Sequence, residues 1–262
     1  MSSRVAAAAF GGHPGQWPLP EARDPHEHWL RAVAAAGQGR YAAARADLAS
    51  LIHDSSTGRW CALGRSAHAS FLRQLGWHWR AHDWDGRAWA AAGGDAEAGV
   101  DALIGLAADA LGVGRFAASG ALLERAAGLV PRAGQPRLDI RLAWVRSELA
   151  MASGRGAEAV REAERGVELA EQALPELRRH RVKSDVVLAA ALCSAGDLAA
   201  ARCLADAALA DTVKHGLVPL RWALACLLSD IGSATRSAGQ IAEVRESAAR
   251  FVTRHGGDWK IR

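Results

Sequence analysis

Six glycines recur along this chain of 262 residues, at intervals of 37 to 43 residues: Gly39, Gly76, Gly114, Gly154, Gly196 and Gly239. Five residues after each glycine stands Ala, Ser or Val, and seven residues before it stands Ala, Ser or Gly. A self-similar unit of this length is typical of proteins that stack one supersecondary motif. A glycine in the left-handed conformation ends a helix, and small residues on both sides let the next helix approach closely. The spacing therefore predicts an all-α solenoid of about six antiparallel helix pairs.

The composition favours helices along the whole chain. Half of the residues are hydrophobic but only 6% are aromatic, and alanine, the strongest helix former, fills many apolar positions. The chain lacks alternating runs of β-branched residues joined by Asn-Gly or Asp-Gly turns, and Asp85-Gly86 lies inside a helical pattern. We expect the repeats to cover residues 25–255, with a disordered or loosely packed arm at 1–24 and a tail at 256–262.

The third unit resembles the tetratricopeptide repeat through Ala107, Gly114-Arg115-Phe116, Ser119, Leu123, Ala126 and Pro131. Gly39-Arg40-Tyr41 with Ala44 and Leu48 repeats the same offsets. The interval exceeds the ~34 residues of that family, so longer helices or connections are expected. The segment 216–223 is similar to helix pairs of bacterial regulatory solenoids in this superfamily. The resemblance implies a right-handed superhelix whose concave groove, lined by first helices, binds a peptide or protein.

Charge and cysteine usage narrow the classes of partner and compartment. A net charge of +4 without an aromatic-interleaved basic stripe does not favour nucleic-acid binding. The four cysteines form no Cys-x-x-Cys pair, which indicates reduced, buried thiols in a cytoplasmic protein. No apolar stretch reaches transmembrane length. We expect neither a membrane partner nor a cofactor.

The predicted first helices supply a set of polar side chains for the groove. Arg, Gln and Ser side chains bind carboxylates and peptide backbones, so this set favours a protein or peptide partner. The alternative is a solvated face whose charges compensate one another. The basic run at 178–183 is interpreted as a solvated helix end, or else as an attractor of an acidic partner or phosphate. The predicted groove residues are Ser70, Arg73, Gln74, Arg141, Trp144, Glu148, Lys183 and Arg236, with Asp101 on the same face.

The second unit departs from the pattern of the others. Five of the ten tryptophans fall between residues 60 and 89, and Asp85 takes a slot where other units have Leu or Ala. Its polar residues form either a hydrogen-bonded structural network or, since His78 and His82 are one helical turn apart, a divalent metal site. Its outward tryptophans form either an interface, homodimerisation included, or contacts with a neighbouring unit. The candidates are His68, His78, Trp79, His82, Trp84 and Asp85.

Motifs of the common enzyme classes are missing from the sequence. There is no phosphate-binding Walker loop, no G-x-S-x-G elbow and no G-x-G-x-x-G after a strand. We therefore expect a non-catalytic protein-interaction or scaffold module. The alternative is a regulator that senses a ligand or peptide and acts in trans, and a metal-dependent enzyme centred on the second unit is a third hypothesis.

Overall fold

The computed structural model describes residues 4–53 and 57–260, and every regular element among them is an α-helix. The helices are long enough to pack along one another, since most span 12 to 17 residues. The fourteen described helices are α1 (Arg4–Phe10), α2 (Pro25–Gly37), α3 (Tyr41–Ala49), α4 (Arg59–Gln74), α5 (His78–Ala91), α6 (Ala96–Gly112), α7 (Phe116–Ala127), α8 (Val130–Ala133), α9 (Pro136–Ala152), α10 (Gly156–Gln172), α11 (Arg178–Ser194), α12 (Leu198–Lys214), α13 (Val218–Ile231) and α14 (Ala238–Arg254).

Five of the six predicted glycines separate consecutive helices that pack on each other. Their φ angles are positive, between 72° and 91°, in the region that favours glycine. The ten small residues at the predicted offsets from these five glycines are all 0% exposed, because they lie where the two helices of a pair are closest. A larger side chain at these positions would separate the two helices. These buried residues are Ala32, Ala44, Ala69, Ala81, Ala107, Ser119, Ser147, Ala159, Ala189 and Ala201.

The sixth glycine does not follow this register. Gly239 lies in the first turn of α14, and the left-handed residue between α13 and α14 is Gly232, with a φ of 83°. The connection is longer here, and Ser237 caps α14 in a reciprocal capping box with Gln240, so the helix begins before Gly239. Gly232 is accordingly exposed rather than packed between helices.

The first helices of successive units form a continuous row. Contacts link α2 to α4, α4 to α6, α6 to α9, α9 to α11, and α11 to α13. Except for the short α8, each described helix also packs on the next one along the chain, as expected of a helical solenoid.

The two ends of the row meet. The Ala42 backbone N–H donates to the His255 carbonyl at 2.8 Å, and the Lys260 N–H donates to the Leu75 carbonyl at 2.9 Å. Val252 of α14 belongs to the same apolar cluster as residues of α2, α3 and α4. The row of first helices therefore encloses a space instead of lining an open groove. Residues 256–260, expected as a tail, form part of this closure.

The N-terminal residues also differ from expectation. Val5, Ala8 and Ala9 lie at one face of α1 and are at most 2% exposed, so the helix packs on α2 and touches α11. The Gln38 side chain donates to the carbonyls of Pro14 and Gln16 at 2.8 and 3.0 Å. Residues 4–10 pack on the repeats because their apolar residues recur with helical spacing, whereas residues 11–24 are irregular and, apart from Pro14, exposed or partly buried.

Among the described residues no disulfide forms, and the four thiols are not uniformly buried as expected. Cys61 is buried, Cys193 and Cys226 are partly buried, and Cys203 is exposed. Within residues 4–53 and 57–260, no helix combines the length and apolarity needed to cross a bilayer.

Candidate functional site

A cavity lies inside the ring of first helices. It is partly open to solvent, and the space between the lining atoms, open solvent at its mouth included, is about 510 Å³. The predicted groove residues Ser70, Gln74 and Arg141 line it. The lining that carries charge or an aromatic ring comprises Phe10 of α1, Trp29 of α2, Phe71 of α4, Asp101 of α6, Arg137 and Arg141 of α9, and Arg179 and His180 of α11.

Two of the three cavity arginines have carboxylate partners. Arg137 contacts both Glu97 and Asp101 at 2.7 Å, and Arg141 contacts Asp101. These ion pairs balance the charge of Arg137, and two guanidinium groups share the single negative charge of Asp101. Asp101 is therefore committed to its arginines and supplies no charge for a third cation.

Arg179 is the third cation of the cavity, and it has no such partner. Its Nη1 donates to the Val33 carbonyl at 3.1 Å, and no carboxylate of the described residues lies within 4 Å of it. Its neighbours on the same helical turn differ, since Arg178 pairs with Glu176 and Arg181 pairs with Glu171. The first turn of α11 also lacks acidic residues, so the positive end of the helix dipole adds to the charge of the guanidinium.

The pKa values reflect this excess of positive charge. Burial and the nearby charge of Arg137 lower the pKa of Arg179 to about 10. Burial, with the charge of Arg73, lowers the pKa of Arg141 to about 10. Burial and then the charges of Arg179, Arg137 and Arg141 hold the pKa of His180 well below its usual value. Each of these shifts would be reduced by an anion in the cavity.

Aromatic rings form the other wall of the cavity. His180, which is 3% exposed, stacks on Trp144 with ring centroids 5.3 Å apart, and its Nδ1 has no hydrogen-bond partner among the described residues. Trp144 is oriented by the bond from its Nε1 to Ser184 Oγ at 2.8 Å. The Nδ1 atom of this buried histidine is therefore available to hydrogen-bond a bound molecule.

Arg73 does not line the cavity, although it was predicted to face the groove. Its Nη1 donates to Asp85 Oδ2 at 3.0 Å and to the Gly105 carbonyl at 3.1 Å, and it also contacts Asp109. Ser66 Oγ donates to Asp85 Oδ1 at 2.8 Å. One guanidinium therefore joins α4, α5 and α6 in a hydrogen-bonded network, which is one of the two arrangements that the sequence predicts for this unit.

The carboxylates of this network are almost inaccessible to water. Asp85 is 0% exposed and Asp109 is 1% exposed. Burial raises the pKa of Asp85 to about 7 against the opposing charge of Arg73, and burial raises the pKa of Asp109 as well. His78 Nδ1 lies 4.0 Å from Asp109 Oδ1, at the edge of the network.

The other candidates of the second unit do not join this network. The His68 ring packs at a tilt against Trp84, with ring centroids 4.4 Å apart, and burial lowers the pKa of His68 to about 4. His82 is exposed, and Trp79 is 53% exposed. Among the described residues there is no group of three His, Cys, Asp or Glu side chains that could hold a metal ion.

The remaining groove candidates lie apart from the cavity lining. Lys183 Nζ is 3.4 Å from Glu148 Oε1, and both side chains are about one-third exposed. Arg236 lies in the connection between α13 and α14, 3.5 Å from Asp206, and not on a first helix. Its assignment followed from the incorrect register of the sixth repeat.

Sequence reasoning missed Phe10, Trp29, Arg137, Arg179 and His180 as cavity residues. The sequence left the basic run as either a solvated helix end or an attractor of an acidic partner or phosphate, and it did not show that Arg179 and His180 turn inward while Arg178 pairs with Glu176. A usable signal was present for His180, because it heads a helical stripe that continues with Ser184, Val187 and Ala191, all of them buried. No comparable pattern marks Phe10, which reaches the cavity from outside the repeats.

Comparison with protein-family models and with curated protein sequences finds no match to this chain. The chemistry of the cavity, a cation-rich pocket with aromatic walls, is therefore the basis for a functional assignment.

Proposed function

We propose that this chain is a non-catalytic binding protein whose inner cavity takes an anionic group, carried by a small molecule or by a peptide. The observation that carries the proposal is Arg179, a cavity guanidinium without a carboxylate partner. A charge that is removed from water without a partner is costly, and an anion in the cavity offsets that cost. A carboxylate or phosphate matches the planar guanidinium fork.

The arrangement favours binding over catalysis. Asp101 and Glu97, the carboxylates nearest to the cavity, are both held by Arg137, so neither is free to act as a general base. The packing of successive helices and the five repeated turns support our further proposal of a right-handed superhelix of six helix pairs. A sensor that reports on its ligand to a separate cytoplasmic partner is the role that we favour for such a cavity.

Scanning fluorimetry at constant ionic strength tests the proposal, with inorganic phosphate replacing chloride. We expect phosphate to stabilise the wild type by about 2.7 kcal/mol at one hundred times its Kd. Arg179→Gln is expected to lose this gain while being as stable as the wild type, or more so, without phosphate, because it removes an unpaired charge. Titration with tetraglutamate then distinguishes an acidic peptide from a free anion.

The matched control is Arg250→Gln, which changes an exposed arginine of α14 that pairs with Glu246 at 3.4 Å. It should leave the phosphate gain intact. Equal stabilisation of the wild type and Arg179→Gln by phosphate would exclude the cavity as the binding site.

A second candidate function rests on Trp79. Its side chain is 53% exposed, next to Arg80, whose guanidinium lies 5.4 Å from the centre of the Trp79 ring. Exposed tryptophans are enriched at protein interfaces, and we propose self-association of two chains through this surface. Sedimentation velocity should show a concentration-dependent dimer that Trp79→Ala abolishes and that His82→Ala retains. A monomer at all concentrations would contradict it.

A further inference from the structure

Phe10 brings an aromatic ring into the cavity from outside the repeats. Its ring centroid lies 5.3 Å from that of Trp29 and 5.8 Å from that of His180. The guanidinium carbons of Arg137 and Arg179 lie 5.4 and 5.8 Å from the ring centre, within the range of cation–π attraction. The cavity therefore contains a slot with two cationic and two aromatic sides, and a planar ring fits it.

The segment that delivers this ring is small. Helix α1 has seven residues, and a helix of that length is not stable by itself in water. It is followed directly by Gly11 and Gly12, and of the other helices it packs chiefly on α2, with a smaller contact to α11. Its buried residues are Val5, Ala8 and Ala9, and its departure would leave the contacts between the repeats in place, so release of this segment costs less than opening a repeat.

Phe10 satisfies the shape of the slot but not its charge. A phenyl ring carries no negative charge, and among the described residues the Val33 carbonyl is the one hydrogen-bond acceptor of Arg179 while Phe10 is in place. His180 Nδ1 is likewise without a partner. A molecule that combines a ring with an anionic group would make the contacts of Phe10 and also pair with Arg179.

We infer that the cavity binds an aromatic anion whose ring replaces Phe10 and whose charge pairs with Arg179, so that binding releases α1. This inference rests on the proposed function and adds the class of ligand and the response to it. Phe10 is then an internal competitor that keeps the slot filled until the ligand arrives.

Isothermal titration calorimetry with three probes tests the inference: inorganic phosphate, phenyl phosphate and cyclohexyl phosphate. In the wild type, phenyl phosphate should bind more tightly than the other two, because only its ring has a π-face for the guanidinium groups and Trp29. Phe10→Ala should bind phenyl phosphate roughly tenfold more tightly than the wild type, since the competing ring is gone. Its affinity for inorganic phosphate should stay within about twofold.

Phe116→Ala is the matched control, because Phe116 is an exposed phenylalanine of α7 away from the cavity lining. It should change none of the three affinities. Hydrogen exchange of the wild type gives a second measurement that does not depend on the folding of a variant. Phenyl phosphate should speed exchange at residues 4–10, and inorganic phosphate should not.

The two proposals fail in different ways. If Arg179→Gln binds inorganic phosphate and phenyl phosphate as tightly as the wild type does, or if the wild type binds neither of them, the proposed function is wrong and this inference is wrong with it. If inorganic phosphate binds through Arg179 but Phe10→Ala gives no gain for phenyl phosphate, or if exchange at residues 4–10 is unchanged, the inference alone is wrong.

Discussion

Three arginines in the first turn of α11 show how neighbouring residues of one type acquire different roles. Arg178 and Arg181 point to acidic partners at the surface, whereas Arg179 lies over Gly37 and reaches the cavity. A Cβ on Gly37 would lie 2.9 Å from Arg179 Nη1, so the glycine provides the space. The sequence shows the charge of the run but not which member turns inward, because that depends on the distant helix α2.

Asp85 was easier to predict. Its position nine residues after a repeat glycine is an apolar slot in the other units, so a buried carboxylate with a hydrogen-bonding partner follows from sequence alone. Asp109 was missed because it is spaced like the surface residues of an amphipathic helix, whereas nearly all of α6 is buried.

Asp85→Asn should change the pH dependence of stability. The pKa of Asp85 is raised to about 7 in the folded protein, so the folded state holds its proton more tightly than the unfolded state. The contribution of Asp85 to the free energy of unfolding is therefore lost as the pH rises from about 4 to about 7, by roughly 4 kcal/mol at most. Urea unfolding at pH 5 and pH 8 should show a smaller loss in Asp85→Asn than in the wild type. The exposed Asp83→Asn should match the wild type, and equal losses in all three proteins would contradict the assignment.

At the level of elements, α6 is the central support of the second and third units. Its residues from Glu97 to Ala110 are all buried, and it packs on α4, α5, α7, α8 and α9. Gly105 lets this crowded helix approach the Asp85 carboxylate. Five helix boundaries were predicted from glycine spacing because a left-handed turn and close packing both require small residues. The sixth was missed because a capping box, rather than a glycine, sets where α14 begins.

Gly105→Ala should be strongly destabilising. A Cβ there would lie 2.1 Å from Asp85 Oδ2, so the mutation breaks a buried ion network. We expect a loss of roughly 3 kcal/mol in the free energy of unfolding, more than the ~1 kcal/mol gained from helix propensity. Gly86→Ala on α5 is the matched control, since its Cβ meets nothing within 4 Å and should stabilise by about 0.5 to 1 kcal/mol. Chemical denaturation measures both, and a neutral Gly105→Ala would show that the network is not rigid.

At the level of the whole molecule, the inner row closes on itself through a few C-terminal residues. Trp259 packs on Trp222 with centroids 4.3 Å apart, and Trp77 Nε1 donates to the Asp258 carbonyl at 2.7 Å. The repeat pattern predicts the stacking of neighbouring units but contains no information on where the last unit meets the first. The cavity lies where Phe10 of α1 and Arg179 of α11 approach α2, and these contacts between distant parts of the chain were not predictable from the repeats either.

Trp259→Ala should weaken the closure. Trp259 is partly buried, so we expect a loss of about 2 kcal/mol, with faster hydrogen exchange both in α13–α14 and at the start of α5. Trp79→Ala, at an exposed position, should stay within about 0.5 kcal/mol of the wild type. Faster exchange in α14 alone would indicate that the two ends are not energetically coupled.

Closure also restricts how such a chain can change during evolution. An open array of helix pairs tolerates duplication or deletion of a unit, because each unit contacts only its neighbours. Here the bonds from Ala42 to His255 and from Lys260 to Leu75 require the C-terminal end of the chain to meet the first and second units at fixed places. An inserted or deleted helix pair would displace these partners, so the number of units in this protein is fixed by its geometry, and divergence must proceed by substitution within units.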